Sequence, residues 1–231
     1  MRYSALALAA ALVCGPALAD ESGWRFTVGA AHVNPNDDSG HLGNVEAAAG
    51  LPSNSTSLKV DSDTQLGLTL NYDIDSVWSI ELLAATPFSH DISMSAPGTA
   101  VDGLDVGKTK HLPPTLSLQY RFLDGSAVRP YLGLGINYTF FFDEHVDGEL
   151  ATTLDSLGLT GDKSLELSDS IGLAGQAGID WEINDKTFFR AALWYTDIDT
   201  DAKVKVNGQT VQKVKVNIDP VVAFIGLGYR F

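Results

Sequence analysis

Five histidines, a serine–histidine dipeptide and a few misplaced apolar side chains are the residues of this chain whose types could do chemistry. His32, His41, His90, His111 and His145 show no His-Glu-x-x-His, His-x-Glu or paired spacing of the kind that holds a metal. They are expected at the surface, and no metal or other cofactor is expected. Ser89-His90, with Ser93 nearby, places a nucleophile beside a base, as a lipid-modifying hydrolase would. No acid is identifiable to orient that histidine, so no catalytic residue is assigned and the chain is not expected to be an enzyme. Gly133-Leu134-Gly135 lies inside a strand-like stretch rather than between a strand and a helix, which argues against a nucleotide loop. The one cysteine, Cys14, falls in an apolar leader, so the rest of the chain has no thiol for a disulfide, a nucleophile or a metal.

Two further sets bear on passage rather than reaction. Leu83 shares the sequence parity of Glu81, and Trp194 that of Arg190, so in a strand each would lie on the face that carries charge. Such exceptions read either as an apolar constriction that a hydrophobic solute wets and water does not, or as a plug filling a barrel too narrow to be open. Pro87 ends an apolar run, and Pro113-Pro114 opens the next. A proline donates no ladder hydrogen bond. These three residues therefore read either as one gap between neighbouring strands, a lateral opening, or as ordinary strand ends.

The elements that must position these residues are strands. Period-2 alternation of apolar with polar or small residues recurs over 24–31, 65–72, 80–85, 115–122, 132–140, 171–181, 189–195 and 221–231, eight segments in all. One parity is apolar and carries aromatics toward its ends, among them Trp24, Tyr72, Tyr120, Phe122, Tyr138, Phe140, Trp181 and Tyr195. The opposite parity is polar or glycine-rich and holds Arg25, Glu81, Arg121, Asp180, Arg190 and Arg230. A transmembrane barrel puts the apolar parity outward and a soluble one puts it inward; the aromatic ends, as interfacial girdles, favour the first. No stretch after the leader is long and apolar enough for a membrane helix, which needs about 20 residues.

Connections alternate in length. Asp73-Ile74-Asp75-Ser76, Asp124-Gly125-Ser126 and Ile183-Asn184-Asp185-Lys186 are short turns, whereas 33–64, 88–112, 142–169 and 197–219 are long. Short periplasmic turns and long extracellular loops are the usual asymmetry of outer-membrane barrels. Asn207-Gly208 between valine–lysine alternations reads as a hairpin on a type I′ turn. Residues 1–19, with Arg2, an alanine–leucine run and Ala17-Leu18-Ala19, read as a cleaved signal peptide, leaving 20–231 as one barrel. The formal net charge of −14 argues against nucleic acid as a partner. It reads as solvated acidic loops, or as cation-bridged contact with lipopolysaccharide.

Several stretches are similar to the OmpW family of small outer-membrane barrels. They include Glu81-Leu82-Leu83-Ala84-Ala85-Thr86-Pro87-Phe88, His111-Leu112-Pro113-Pro114-Thr115, Arg129-Pro130-Tyr131, Trp194-Tyr195-Thr196-Asp197 and Gly228-Tyr229-Arg230-Phe231. The insertions 36–62, 97–108 and 144–164 fall outside the likeness. The resemblance implies an all-β, eight-stranded antiparallel transmembrane barrel in the outer membrane. It also implies a narrow apolar channel through which small hydrophobic solutes pass passively and leave sideways into the bilayer. Expected partners are outer-membrane lipid and lipopolysaccharide, such solutes, and the assembly machinery acting on the terminal Phe231. The competing reading is a sealed structural or surface-interaction barrel that works through its long loops.

Overall fold

Alternation dictates a barrel only if the strands pair in a register that keeps each parity on one face. The computed structural model, which describes residues 23–231, shows that register. The expected leader, 1–19, lies outside the described residues. In chain order the elements are β1 (Trp24–Asn34), β2 (Asp38–Ser39), α1 (Gly43–Ala49), β3 (Ser57–Val60), β4 (Asp63–Asp73), β5 (Trp78–Ala85), β6 (Phe88–Ser95), β7 (Asp105–Leu112) and β8 (Thr115–Arg121). There follow β9 (Val128–Val146), α2 (Gly148–Ser156), β10 (Lys163–Leu167), β11 (Ser170–Glu182), β12 (Thr187–Thr196), β13 (Asp199–Val206), β14 (Gln209–Asn217) and β15 (Val221–Arg230).

Eight of these, in the order β1-β4-β5-β8-β9-β11-β12-β15, form an antiparallel sheet that closes where β15 pairs with β1. Closure leaves the barrel no free edge strand, the condition for a sheet in hydrocarbon. Registers such as Thr27 opposite Thr69 and Val28 opposite Leu68 keep like parity with like. A one-residue slip would turn every side chain to the wrong face.

Exposure shows which face is outside. Leu134 is 77% exposed, Ile171 74% and Leu173 72%, whereas Thr69, Asn71, Glu81, Gln119 and Arg190 are wholly buried. The apolar parity faces outward, where only lipid makes such a surface tolerable. Aromatic contacts ring the end that carries the short turns. Trp24 lies 4.9 Å from Tyr72, Trp78 5.0 Å from Tyr120 and Tyr229 5.3 Å from Phe231, measured between ring centroids. At the other end the outward apolar belt reaches Leu66, Leu82, Leu116, Tyr138, Ile171, Tyr195 and Val221. None of the exposed large apolar residues described lies in β3, β6, β7, β10, β13 or β14, so these strands stand outside the membrane.

There the structure departs from the expectation of loops. β9 continues past the barrel and pairs with β7, which pairs with β6 and through it β3, while β10-β13-β14-β2 forms a separate sheet. Together with both helices they enclose a second core that includes Leu42, Leu58, Ile92, Leu154, Ile198 and Val216. The polarity is reversed here, apolar inside and polar outside, because water replaces lipid. The hairpin on Asn207-Gly208 forms as expected, with φ of 51° and 77°. The insertions at 36–62 and 144–164 supply the helices. Asp147 caps α2 by accepting from the Glu149 amide at 2.8 Å. Glu46, buried in α1, accepts from the amides of Asn54, Ser55 and Thr56 and so fixes the turn that follows.

Replacing Leu154 with Asp puts a carboxylate into this outer core, where nothing pairs it. We expect the extracellular strands to become cleavable by trypsin, at Lys108 and Lys163 first. The lipid-embedded barrel should keep its heat-modifiable migration on a denaturing gel, because its closure does not depend on the cap.

Candidate functional site

The lower lumen is filled by charge. Arg190 donates to Asp180 from both Nε and NH2 at 2.7 Å, and pairs through NH1 with Glu81. Arg25 reaches Asp180 at 2.7 Å and Asp73 at 3.0 Å, and Arg121 also pairs with Asp73. Gln176 donates to Glu81 at 2.6 Å and accepts from Gln119 at 3.0 Å; Gln119 in turn accepts from Asn71 at 2.9 Å. Three arginines thus meet three carboxylates, supplied by β1, β4, β5, β8, β11 and β12. Five of the six charges noted on the inward parity pair across the lumen. Arg230 instead pairs with Glu182, at 2.8 Å, at the turn end. Asp73, which read only as a turn residue, is a member of the network.

Above this layer lies an apolar one. Leu83 and Trp194 are both buried there, with Phe88, Tyr131, Val222 and Phe224. The Trp194 ring meets Phe224 edge-on at 6.0 Å. Tyr131, Phe188 and Phe224 escaped the reading of the sequence, although each shares the parity of an inward glycine or charge. Glycines make room for them: a Cβ on Gly67 would fall 2.7 Å from the Phe224 ring, and one on Gly178 would fall 2.4 Å from the Tyr131 hydroxyl. Arg190 also lies 5.1 Å over the Tyr131 ring, which joins the two layers.

Three small cavities then run outward, of about 60 Å³ beneath the helices, 30 Å³ in the middle and 20 Å³ innermost. The outer and middle cavities share Leu58, Ile92 and Ala202 as walls; the middle and inner ones share Val33, His111, Ile198 and Pro220. Leu83 floors the innermost cavity, and Trp194 lies outside its wall.

The prolines fall on the two sides of one gap. The β5–β8 ladder ends at Leu83 opposite Thr115, and the β6–β7 ladder starts at Phe88 opposite His111. Between them the segment from Ala84 to Pro87 faces the one from Leu112 to Pro114, and no pairing joins them among the described residues. Each bank is tied to its other neighbour: Thr86 N–H donates to Leu66 O at 2.9 Å, and Tyr138 N–H to Pro114 O at 3.0 Å. The innermost cavity is lined from both banks, by Ala84, Ala85, Phe88 and Pro113.

The histidines correct one expectation. His32, His41 and His145 are exposed, but His90 and His111 are buried and stacked, with ring centroids 4.9 Å apart. They share an inward face with Phe88 because β6 and β7 continue the barrel's alternation above the membrane, a continuation that the reading as loop missed. Burial pushes the His111 imidazole down to about 3 and lowers that of His90, against the pull of Asp63. Ser89 and Ser93 have the parity opposite to His90 and face away from it, so the serine–histidine pairing does not form. Asp197, Asp199 and Asp219 gather at the rim; Asp199 is paired with Lys215 at 2.7 Å, and Asp219 accepts from the Ile198 amide.

Two outcomes follow from this geometry. Asp180→Ala leaves Arg25 and Arg190 buried without their shared carboxylate, and should cost about 3–5 kcal/mol in urea unfolding from lipid vesicles. Acid should loosen the cap. The unfolded imidazole of His111 takes a proton near its ordinary pKa of about 6.5, the folded one only near 3. The contribution of His111 to stability is therefore whole above the first value and is lost as the pH falls toward the second. Hydrogen exchange in β6 and β7 should accelerate across that window, and less so in His111→Phe.

The model of the OmpW family matches residues 23–231. Outer membrane protein W of Vibrio cholerae is 43% identical over 228 residues, covering 98% of this chain and 97% of that protein. Outer membrane protein W of Escherichia coli strain K12 is 40% identical, with coverage of 95% and 94%. The crystal structure of the outer membrane protein OprG from Pseudomonas aeruginosa superposes with a TM-score of 0.75 at 40% identity, covering 91% of this chain and 97% of that one.

Proposed function

The chain belongs to the OmpW family, as an eight-stranded β-barrel of the Gram-negative outer membrane, and from that premise we propose that it admits small hydrophobic solutes passively and releases them sideways. Family membership and the barrel support a role in small-molecule transport. The finer reading is carried by one observation: the innermost apolar cavity is walled by both banks of the unpaired gap. Straight beneath it lie Leu83, Trp194 and the ionic layer. Moving an apolar solute through that layer would break buried ion pairs, each break leaving an unpaired charge at several kcal/mol.

Pro87, Pro113 and Pro114 are the residues assigned to the opening, since each removes a donor that would otherwise invite the ladder to close. Leu83 is assigned to the floor of the path, and Trp194 to the packing that holds the floor in place. The cavities are narrow, so a solute advances only as the apolar side chains between them part. Those walls are held largely by dispersion contacts and yield more easily than ion pairs. An outward path of this kind carries an apolar solute past the polar lipopolysaccharide layer.

A sealed barrel acting through its surface is the second reading, favoured by the small volume of the cavities and by the ordered cap. Two partner assignments go with either reading. The acidic cap would meet lipopolysaccharide through bridging cations, and the exposed Phe231 beside Tyr229 would present the chain end to the outer-membrane assembly machinery.

Uptake of a small apolar fluorophore into cells, compared with cells lacking the protein, tests the proposal. Ala85→Trp fills the inner cavity and should cut the protein-dependent rate at least about tenfold with the barrel still folded. Alanine at all three prolines should slow it as the gap acquires donors. Equal uptake with and without the wild-type protein would make the sealed reading the correct one.

A further inference from the structure

We propose that His90 is a hydrogen-bond acceptor set in the path to select apolar solutes that carry one donor group, such as a long-chain alcohol, over equally apolar molecules without one. The inference rests on the transport reading and names its solute class. His90 is 3% exposed, and its Nδ1 lies against the backbone carbonyl of Asp61, which can only accept. In a neutral ring the proton therefore sits on Nδ1, leaving Nε2 as a bare acceptor. That Nε2 is buried and, among the described residues, without a hydrogen-bond partner, as is Nδ1 of His111. Both rings line the middle cavity among Ile92, Phe141 and Ile198, and His111 lines the innermost one as well.

An acceptor left unsatisfied among apolar walls costs stability, and none of the described residues relieves it. Phe88 and His111 stack at 5.4 Å between centroids and His111 and His90 at 4.9 Å, so the rings are held in place. The interplanar angle of 21° between the imidazoles keeps their in-plane lone pairs from converging on one point, which disfavours a shared metal ion. A hydroxyl arriving through the outer cavity fits instead. It donates to His90 Nε2 while its alkyl chain lies along the apolar wall. The depressed basicity of both rings agrees with this, since a protonated His90 would have no lone pair to offer.

The test compares 1-decanol with its isomer methyl nonyl ether, which has the same atoms but no donor. In cells carrying the wild-type protein, protein-dependent uptake of decanol should exceed that of the ether by about 5- to 10-fold, the worth of one hydrogen bond. His90→Phe keeps a ring in the stack and removes the acceptor; whatever it does to the passage of both solutes, it should bring the ratio of decanol to ether uptake down to about one. If both solutes enter faster than in cells without the protein, yet at a ratio that His90→Phe does not alter, the selection by His90 is overturned and transport stands. If neither exceeds those cells, transport itself fails and the selection with it. Should the variant not fold, ¹⁵N NMR of the wild-type protein in bilayers decides: decanol, but not the ether, should shift the His90 Nε2 resonance, and no shift overturns the proposal.

Discussion

Three arginines and three carboxylates buried across the lower lumen are the constraint on which the rest of this structure depends. Buried charges are tolerable only when paired and fully hydrogen-bonded. Arg190 meets that condition by reaching Asp180, Glu81, Asn71 and Thr69 at once. Its partners come from β4, β5 and β11, so the network ties together strands that are not adjacent in the wall. It also fills the lower barrel axis with paired side chains, across the most direct way through.

With the lower axis filled by charge, the upper barrel differs most at its side. Where β5 gives way to β6 and β7 to β8, proline removes backbone donors, and both banks are bonded to their outer neighbours rather than to each other. In hydrocarbon an unmade ladder is costly for ordinary residues. Three prolines lower that cost by having no N–H to leave unsatisfied. The gap and the cavity behind it are thus parts of one arrangement, set just above the level at which the ionic layer begins.

The cap follows from the same logic turned inside out. Within the membrane the chain directs its apolar parity to lipid and crowds polar groups inward; beyond the outer belt the strands continue, and the apolar side chains turn inward. His90 and His111 stand where the two regimes meet, polar rings in an apolar interior. That position accounts for both their lowered basicity and their unmatched nitrogens.

The sequence by itself determined the barrel. Eight alternating segments, three short turns and the position of every barrel strand were legible because a two-sided wall imposes period 2 on each strand independently of all others. The inward charges were legible for the same reason, as departures from the apolar parity. Tyr131 and Phe224 were legible in principle by that rule and were passed over among glycines. What only the tertiary structure decided is which residues from distant strands meet: that Asp73 at the end of β4 joins Arg25, that the segment ending at Pro87 lies across an unpaired gap from the one holding Pro113, that α2 and β10 share a core with β6, and that His90 and His111 are buried. The reason is physical. Local period reports which side of a wall a residue faces, whereas strand tilt and register set the height at which it meets a partner, and those emerge only when the sheet closes.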